Sequence, residues 1–93
     1  MQIGTIADIT PNGAAVALSA THQRAIFVDM VASGTSIRTG DSNVGSARGV
    51  ALPTGAFTTP YPRQDNEQQP YDLSTIYVYG ASGSDKVSIT YGY

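Results

Sequence analysis

Short apolar runs alternate along this chain with clusters of Gly, Asp, Asn, Ser and Pro at intervals of about ten residues, the rhythm of a small β-sandwich or barrel. Residues 2–9, QIGTIADI, predict a first strand, closed by the turn signal Thr10-Pro11-Asn12-Gly13. Val16 and Leu18 fall on one face of a second strand. The strongest run is residues 24–32, RAIFVDMVA, with Ile26, Val28 and Met30 on one face and Phe27 and Val31 beside Asp29 on the other. That pattern predicts a central strand with one face only partly covered. Residues 35–39, TSIRT, predict a strand with Ile37 inward and Arg38 outward, and Val50 and Leu52 mark another.

The stretch TTPYPRQDNEQQP holds three of the five prolines and most of the strongly polar side chains, so residues 58–71 predict a long exposed loop rather than a central strand. Beyond it, LSTIYVY places Ile76 and Val78 on one face and Tyr77 and Tyr79 on the other. GASGSD then predicts a turn into KVSITY, where Val87, Ile89 and Tyr91 alternate with Ser88 and Thr90, and the two runs together read as a hairpin. With a single Glu and a single Lys, the chain is poor in helix formers. The expected architecture is all-β: one domain over residues 1–93, a β-sandwich or jelly-roll-like barrel of about six to eight short strands. Residues 1–10 are expected to form an extended N-terminal arm or an edge strand.

Charge and composition narrow the function classes. Five basic against seven acidic side chains give a net charge of −2, which offers no electrostatic reason to approach nucleic acid. There is no cysteine, so disulfides, thiolate catalysis and the usual structural zinc sites are excluded together. No apolar run approaches the roughly eighteen residues of a membrane span, and the first residues lack a basic start; a soluble chain without membrane contact or signal peptide is expected.

Candidate chemistry is sparse. The small-residue stretch SIRTGDSNVGSARGVALPTG, residues 36–55, invites a phosphate-loop reading, but no Gly-Lys-Ser/Thr closes it and no helix-forming run follows. It also invites a calcium-loop reading, yet after Asp41, Ser42 and Asn43 nothing acidic completes the ligand set. Two β-connections, residues 40–43 and 45–49, account for it. His22, the only histidine, has no neighbouring nucleophile signature and reads as a surface residue or an intersubunit hydrogen-bonding group. In GASGSDK, Ser84 stands where a nucleophile elbow needs its second glycine. Asp65 and Glu67 sit among Gln, Asn and Pro and read as solvated carboxylates rather than a glycosidase pair. No catalytic residue, cofactor or metal is expected.

The tyrosines are the strongest asymmetry: Tyr61, Tyr71, Tyr77, Tyr79, Tyr91 and Tyr93 all lie in the second half. A side chain with an apolar body and a polar tip suits an interface that is apolar yet partly wet, or a platform for sugar rings.

The order of segments carries a resemblance. AVALSAT, then an R-x-I-x-V strand at Arg24 to Val28, an I-R-x-G-D-S-x-V segment at Ile37 to Val44, a G-x-x-L segment at Gly49 to Leu52, and a closing I-Y-V…V-x-I pair at Ile76 to Val78 and Val87 to Ile89 are similar to a group of small virion structural proteins of tailed bacteriophages. The likeness spans roughly residues 14–91 and is one of strands and turns, without a catalytic signature. It implies a compact β-sandwich head protein, found on the capsid surface of the virion, that decorates or cements the capsid. The corresponding expectation is a decoration protein bound between subunits of the major capsid protein, as a homotrimer at threefold or quasi-threefold sites. Ile3, Ile6 and Ile9 of the arm, with Tyr61, Tyr71, Tyr77 and Tyr79, are the candidate capsid or subunit contacts, because exposed edges and extended arms readily extend a partner's sheet. A head-to-tail connector or tail component is the alternative within the particle, and a carbohydrate-binding module using Tyr77, Tyr79 and the loop tyrosines is the alternative outside it.

Overall fold

A computed structural model describes residues 1–34, 36–63 and 70–93. The described residues form an all-β sandwich. Ten strands follow one another: β1 (Ile3–Ile9), β2 (Ala15–Ala17), β3 (Arg24–Ala25), β4 (Phe27–Ser33), β5 (Ile37–Gly40), β6 (Val50–Ala51), β7 (Phe57–Tyr61), β8 (Tyr71–Asp72), β9 (Tyr77–Gly80) and β10 (Lys86–Gly92). The count exceeds the six to eight expected because the run 24–32 divides into β3 and β4, and because β7 and β8 form at the two ends of the stretch expected as a loop.

Two four-stranded sheets carry the fold, ordered β1-β10-β4-β7 and β2-β9-β5-β6, with β3 and β8 forming a small third pair. Every pairing between these strands is antiparallel. The alternation read from the sequence sets which side each strand buries. Val28, Met30 and Ala32 of β4 and Val87 and Ile89 of β10 face Ile37 of β5 and Val78 of β9, and Leu18, Leu52, Leu73 and Ile76 close the ends of this core. Thr39 is the polar residue of the inner layer; its Oγ1 donates to the Tyr77 carbonyl at 3.0 Å and lies 3.1 Å from the Tyr61 hydroxyl.

Three expectations change in the structure. The run from 24 to 32 is broken: Ala25 and Ile26 are consecutive and both buried, so the chain leaves the β3–β8 pair at Ile26 before entering β4. The stretch expected as one exposed loop begins with an edge strand, β7, in which Pro60 is tolerated because the edge leaves its missing N–H without a ladder partner. Asp65 and Glu67 lie outside the described residues, as does position 35 of the expected strand 35–39.

The third change matters most. β9 and β10 do not form a hairpin: β9 pairs with β2 and β5, whereas β10 pairs with β1 and β4. GASGSD is therefore an arch from one sheet to the other. Asp85 fixes it from the inside. The Ser82 N–H donates to Asp85 Oδ2 at 3.1 Å, and the Asp85 N–H donates back to the Ser82 carbonyl at 3.1 Å. Asp85 is nearly fully buried, and the neighbouring backbone accommodates it through glycines. A Cβ on Gly80 would sit 2.7 Å from Asp85 Cβ, and one on Gly34, whose φ is +140°, would collide with Asp85 Oδ1.

Gly34→Ala combines that collision with a left-handed backbone and is expected to cost at least about 2 kcal/mol in urea denaturation. Gly55→Ala, at φ +72° with nothing within 4 Å of the new Cβ, meets only the backbone term and is expected to cost about 1 kcal/mol. Equal midpoints for the two variants would show that the Asp85 contact does not control the arch.

Candidate functional site

The sequence candidates are distributed over three places. Ile3 lies on the outer face of the β1-containing sheet and is 57% exposed, whereas Ile6 and Ile9 turn inward and pack against the core. Residues 1–10 are thus mainly an integral edge strand, laddered to β10 from Ile3↔Gly92 to Ile9↔Val87. Tyr61 and Tyr71 pack against the core and against each other, edge to face at 5.5 Å and 74°. Tyr77 and Tyr79 point away from them, onto the outer face of the other sheet. There Tyr77 is flanked by Ala17 and Gly40, and Tyr79 by Ala15 and Arg38. The four tyrosines do not form one platform, because Tyr61 reaches the inner face of β5 while Tyr77 and Tyr79 occupy its outer side.

The outer face of the β1-β10-β4-β7 sheet is the more apolar surface. Phe27 lies over Gly92 with Met1 beside it, Ile3 stands across the ladder, and Val31 pairs with Phe57, which is 65% exposed. Between these groups runs a polar row, Thr5–Thr90–Asp29. Asp29 is held above the usual carboxylate range by desolvation among these neighbours.

The edges of the two sheets are unequal. β7 carries Pro60, and β2 and β6 are three and two residues long. β1 is seven residues long and has neither Pro nor Lys; its one charge, Asp8, accepts from the Ser88 hydroxyl at 2.5 Å. Edge strands are normally blunted by proline, lysine, bulges or shortness, and β1 has one such device, the irregularity between Ile6 and Ile9.

One polar cluster escaped the sequence reading. Asp72 caps the 3-10 turn Leu73–Thr75, its Oδ1 accepting from the Ser74 N–H at 3.0 Å, the Ser74 hydroxyl at 2.8 Å and the Gln23 N–H at 3.3 Å. Its Oδ2 lies 2.6 Å from His22 Nδ1. The available signal was Asp72-Leu73-Ser74, a capping pattern; nothing in the sequence paired it with His22, fifty positions away. Ser, His and Asp meet here, but Ser74 Oγ and Asp72 both lie against the same nitrogen, Nδ1, at 3.2 and 2.6 Å. A catalytic triad requires the carboxylate and the hydroxyl on opposite nitrogens, so this arrangement cannot relay a proton from serine through histidine. It is a clamp tying the residue 22–24 segment to residues 71–75.

The small-residue stretch at residues 36–55 resolves as structure. The two turns belong to a single β5–β6 connection, in which the Asn43 N–H donates to Asp41 Oδ1 at 2.8 Å and the Val44 N–H to the Asp41 carbonyl at 3.0 Å. Gly45 and Arg48 then pair through their backbones at 3.2 and 3.3 Å. Gly49, at φ +101°, lets the connection lie flat on β5, where any Cβ would stand 2.6 Å from the Thr39 carbonyl. No cluster of three or more metal-ligating side chains occurs among the described residues.

Compared with known proteins, the chain matches no family model, no curated protein and no solved structure.

The hydrogen bonds from His22, Ser74 and Gln23 hold the Asp72 carboxyl well below the usual carboxylate range, with His22 the largest cause. Because the folded value is depressed, the clamp's contribution is present above the unfolded pKa and lost as pH falls through the folded one. Asp72→Asn should therefore lower stability at pH 6, and the gap to the wild type should close as pH drops from about 5 toward 2. A gap independent of pH over that range, followed by urea titration, would rule the clamp out.

Proposed function

We propose that the chain is a virion structural protein of a tailed bacteriophage, a decoration or cement protein that docks on the major capsid protein and stabilises the shell. The segment pattern from Arg24 to Ile89 is the first support for this reading. The observation that carries it is the coincidence of a long edge strand with an exposed apolar face: among the described residues no strand pairs with the outer side of β1, and Ile3, Met1 and Phe57 stand exposed on the adjoining face. Strand addition supplies main-chain hydrogen bonds, and the apolar face supplies desolvated contact area beside them. Any ligand that binds only the mature shell stabilises it by mass action, so the role needs surface and copy number, not catalysis.

Two measurements test this. In purified particles of the phage encoding the chain, quantitative mass spectrometry should find it near one copy per major capsid subunit. A ratio of a few percent would move it to a connector or tail, and absence from the particle would end the structural reading. Ile3→Lys places a charge on the docking face at a site too exposed to disturb the fold; it should leave the urea midpoint unchanged and weaken binding to undecorated shells by at least tenfold, about 1.4 kcal/mol. Unchanged binding would place the contact elsewhere. Deleting residues 1–9 is not an equivalent test, because it removes Ile6 and Ile9 from the core.

A further inference from the structure

At the far side of the molecule from β1, the β5–β6 connection and the edge strand β7 enclose a cleft of about 390 Å³ whose walls include Asp41, Arg48, Val50, Pro60 and Tyr61. A second cleft of about 500 Å³ shares Gly40, Asp41 and Tyr61 with it and continues past Tyr71 to Thr75. The two are one groove with Asp41 and Tyr61 at its middle. From these residues we infer that the groove is a binding site for a neutral oligosaccharide.

The walls are fixed before any ligand arrives. Asp41 is held by its own turn, Gly49 lets the connection lie against β5, and the Arg48 backbone is paired with Gly45. Across the groove, Tyr61 is positioned by the Thr39 hydroxyl at 3.1 Å and by the Tyr71 ring, whose own hydroxyl donates to the Pro62 carbonyl at 2.9 Å. A preformed cleft with an aromatic wall and few polar groups is the ordinary form of a small-molecule site, and its size lies in the usual range of roughly 300–1,000 Å³.

The polar groups decide the ligand class. Asp41 and Arg48 line the same cleft, yet among the described residues neither belongs to an ion pair. A carboxylate and a guanidinium held apart leave one strong acceptor and a fork of donors for a bound molecule. A phosphate-bearing ligand would meet the Asp41 carboxylate beside Arg48, a cation would meet the guanidinium, and a purely apolar ligand would desolvate both charges without return. A molecule with donor and acceptor hydroxyls and an apolar ring face satisfies all three surfaces: hydroxyls donate to Asp41 and accept from Arg48 while C–H groups lie on Tyr61 and Pro60. A sugar has that composition, and the continuation toward Tyr71 leaves room for more than one ring. Asp72, at the end of the groove, is already occupied by His22, Ser74 and Gln23, so it contributes shape rather than recognition.

The inference is independent of the capsid reading and is tested on the isolated protein. Amide chemical shifts of the ¹⁵N-labelled chain are followed during titration with maltohexaose, cellohexaose, chitohexaose and mannohexaose, each to several millimolar. At least one should give saturable shifts concentrated at Asp41, Arg48, Gly49 and Tyr61. Asp41→Asn, which keeps an acceptor for the turn, and Arg48→Gln, on the surface of the connection, should each weaken that binding at least tenfold with the remaining spectrum unchanged; Tyr79→Ala, on the other face, should not. No saturable shift with any of the four sugars overturns the inference. So do shifts centred on Tyr77 and Tyr79, or equal shifts produced by inorganic phosphate.

Discussion

The arch at residues 80–85 is the constraint on which the rest of this structure depends. Two consecutive strands with matching alternation pair most simply with each other, and here they do not. Asp85 is turned inward, its carboxylate takes the Ser82 N–H, and Gly34 and Gly80 leave it the space. A buried carboxylate is costly unless it is hydrogen-bonded, and in water-exposed hairpin geometry Asp85 would have no reason to be inside. Its burial commits β9 to one sheet and β10 to the other, so that Val78 and Val87, nine positions apart, face each other across the core rather than lying side by side on one sheet. The sandwich follows: β10 recruits β1 and β4, and β9 recruits β2 and β5.

That division also produces two unlike outer surfaces. On one sheet, glycines at positions 4 and 92 let Tyr91 and Phe27 lie across the ladder from opposite sides, the tyrosine toward the core and the phenylalanine outward. The same sheet therefore feeds the core and the apolar exterior. On the other sheet, Tyr77 and Tyr79 stand between alanines, a glycine and Arg38, a flatter and more polar surface. Of the large apolar side chains exposed on strands, Ile3, Val31 and Phe57 belong to the sheet that also owns the long edge β1 and Val50 to the other, so the proposed protein contact falls on the former.

Much of the fold was legible because period-2 alternation directly encodes which face is buried. Spacing alone sets Ile26, Val28 and Met30 on one face, then Ile76 and Val78, then Val87 and Ile89, and in each case that face is the buried one. The pairing partner of a strand is not encoded that way. GASGSD has the composition of a hairpin turn, and only the packing of Asp85 against Gly34, some fifty residues earlier, makes it an arch. Pro60 misled for a related reason: proline excludes a central strand but not an edge, and edge position is a property of the whole sheet. The His22–Asp72 clamp and the groove between Asp41, Arg48 and Tyr61 join residues that share no local pattern, so no periodicity could have revealed them. Ile6 is on the opposite face to Ile3 and Thr5 by simple alternation, but Ile9 shares their parity, and only the register shift after Ile6, which no local pattern announces, turns it inward as well.

The placement of the two proposed surfaces follows from strand order. β1 and β7 are the opposite edges of one sheet, three strand spacings or roughly 14 Å apart. The proposed docking edge is β1 and the proposed groove is walled by β7, so a partner strand added at β1 would lengthen the sheet away from the groove. A chain of this size, with a radius of gyration of 12.2 Å, has little surface to spare, and the two surfaces lie at opposite edges of one sheet. The geometry thus leaves room for both proposed contacts at once: strand addition along β1, and a groove whose walls are set by the β5–β6 connection. Because Thr39 bonds both the Tyr77 carbonyl and the Tyr61 hydroxyl, the groove wall is anchored in the core between the sheets and does not depend on what is bound at β1.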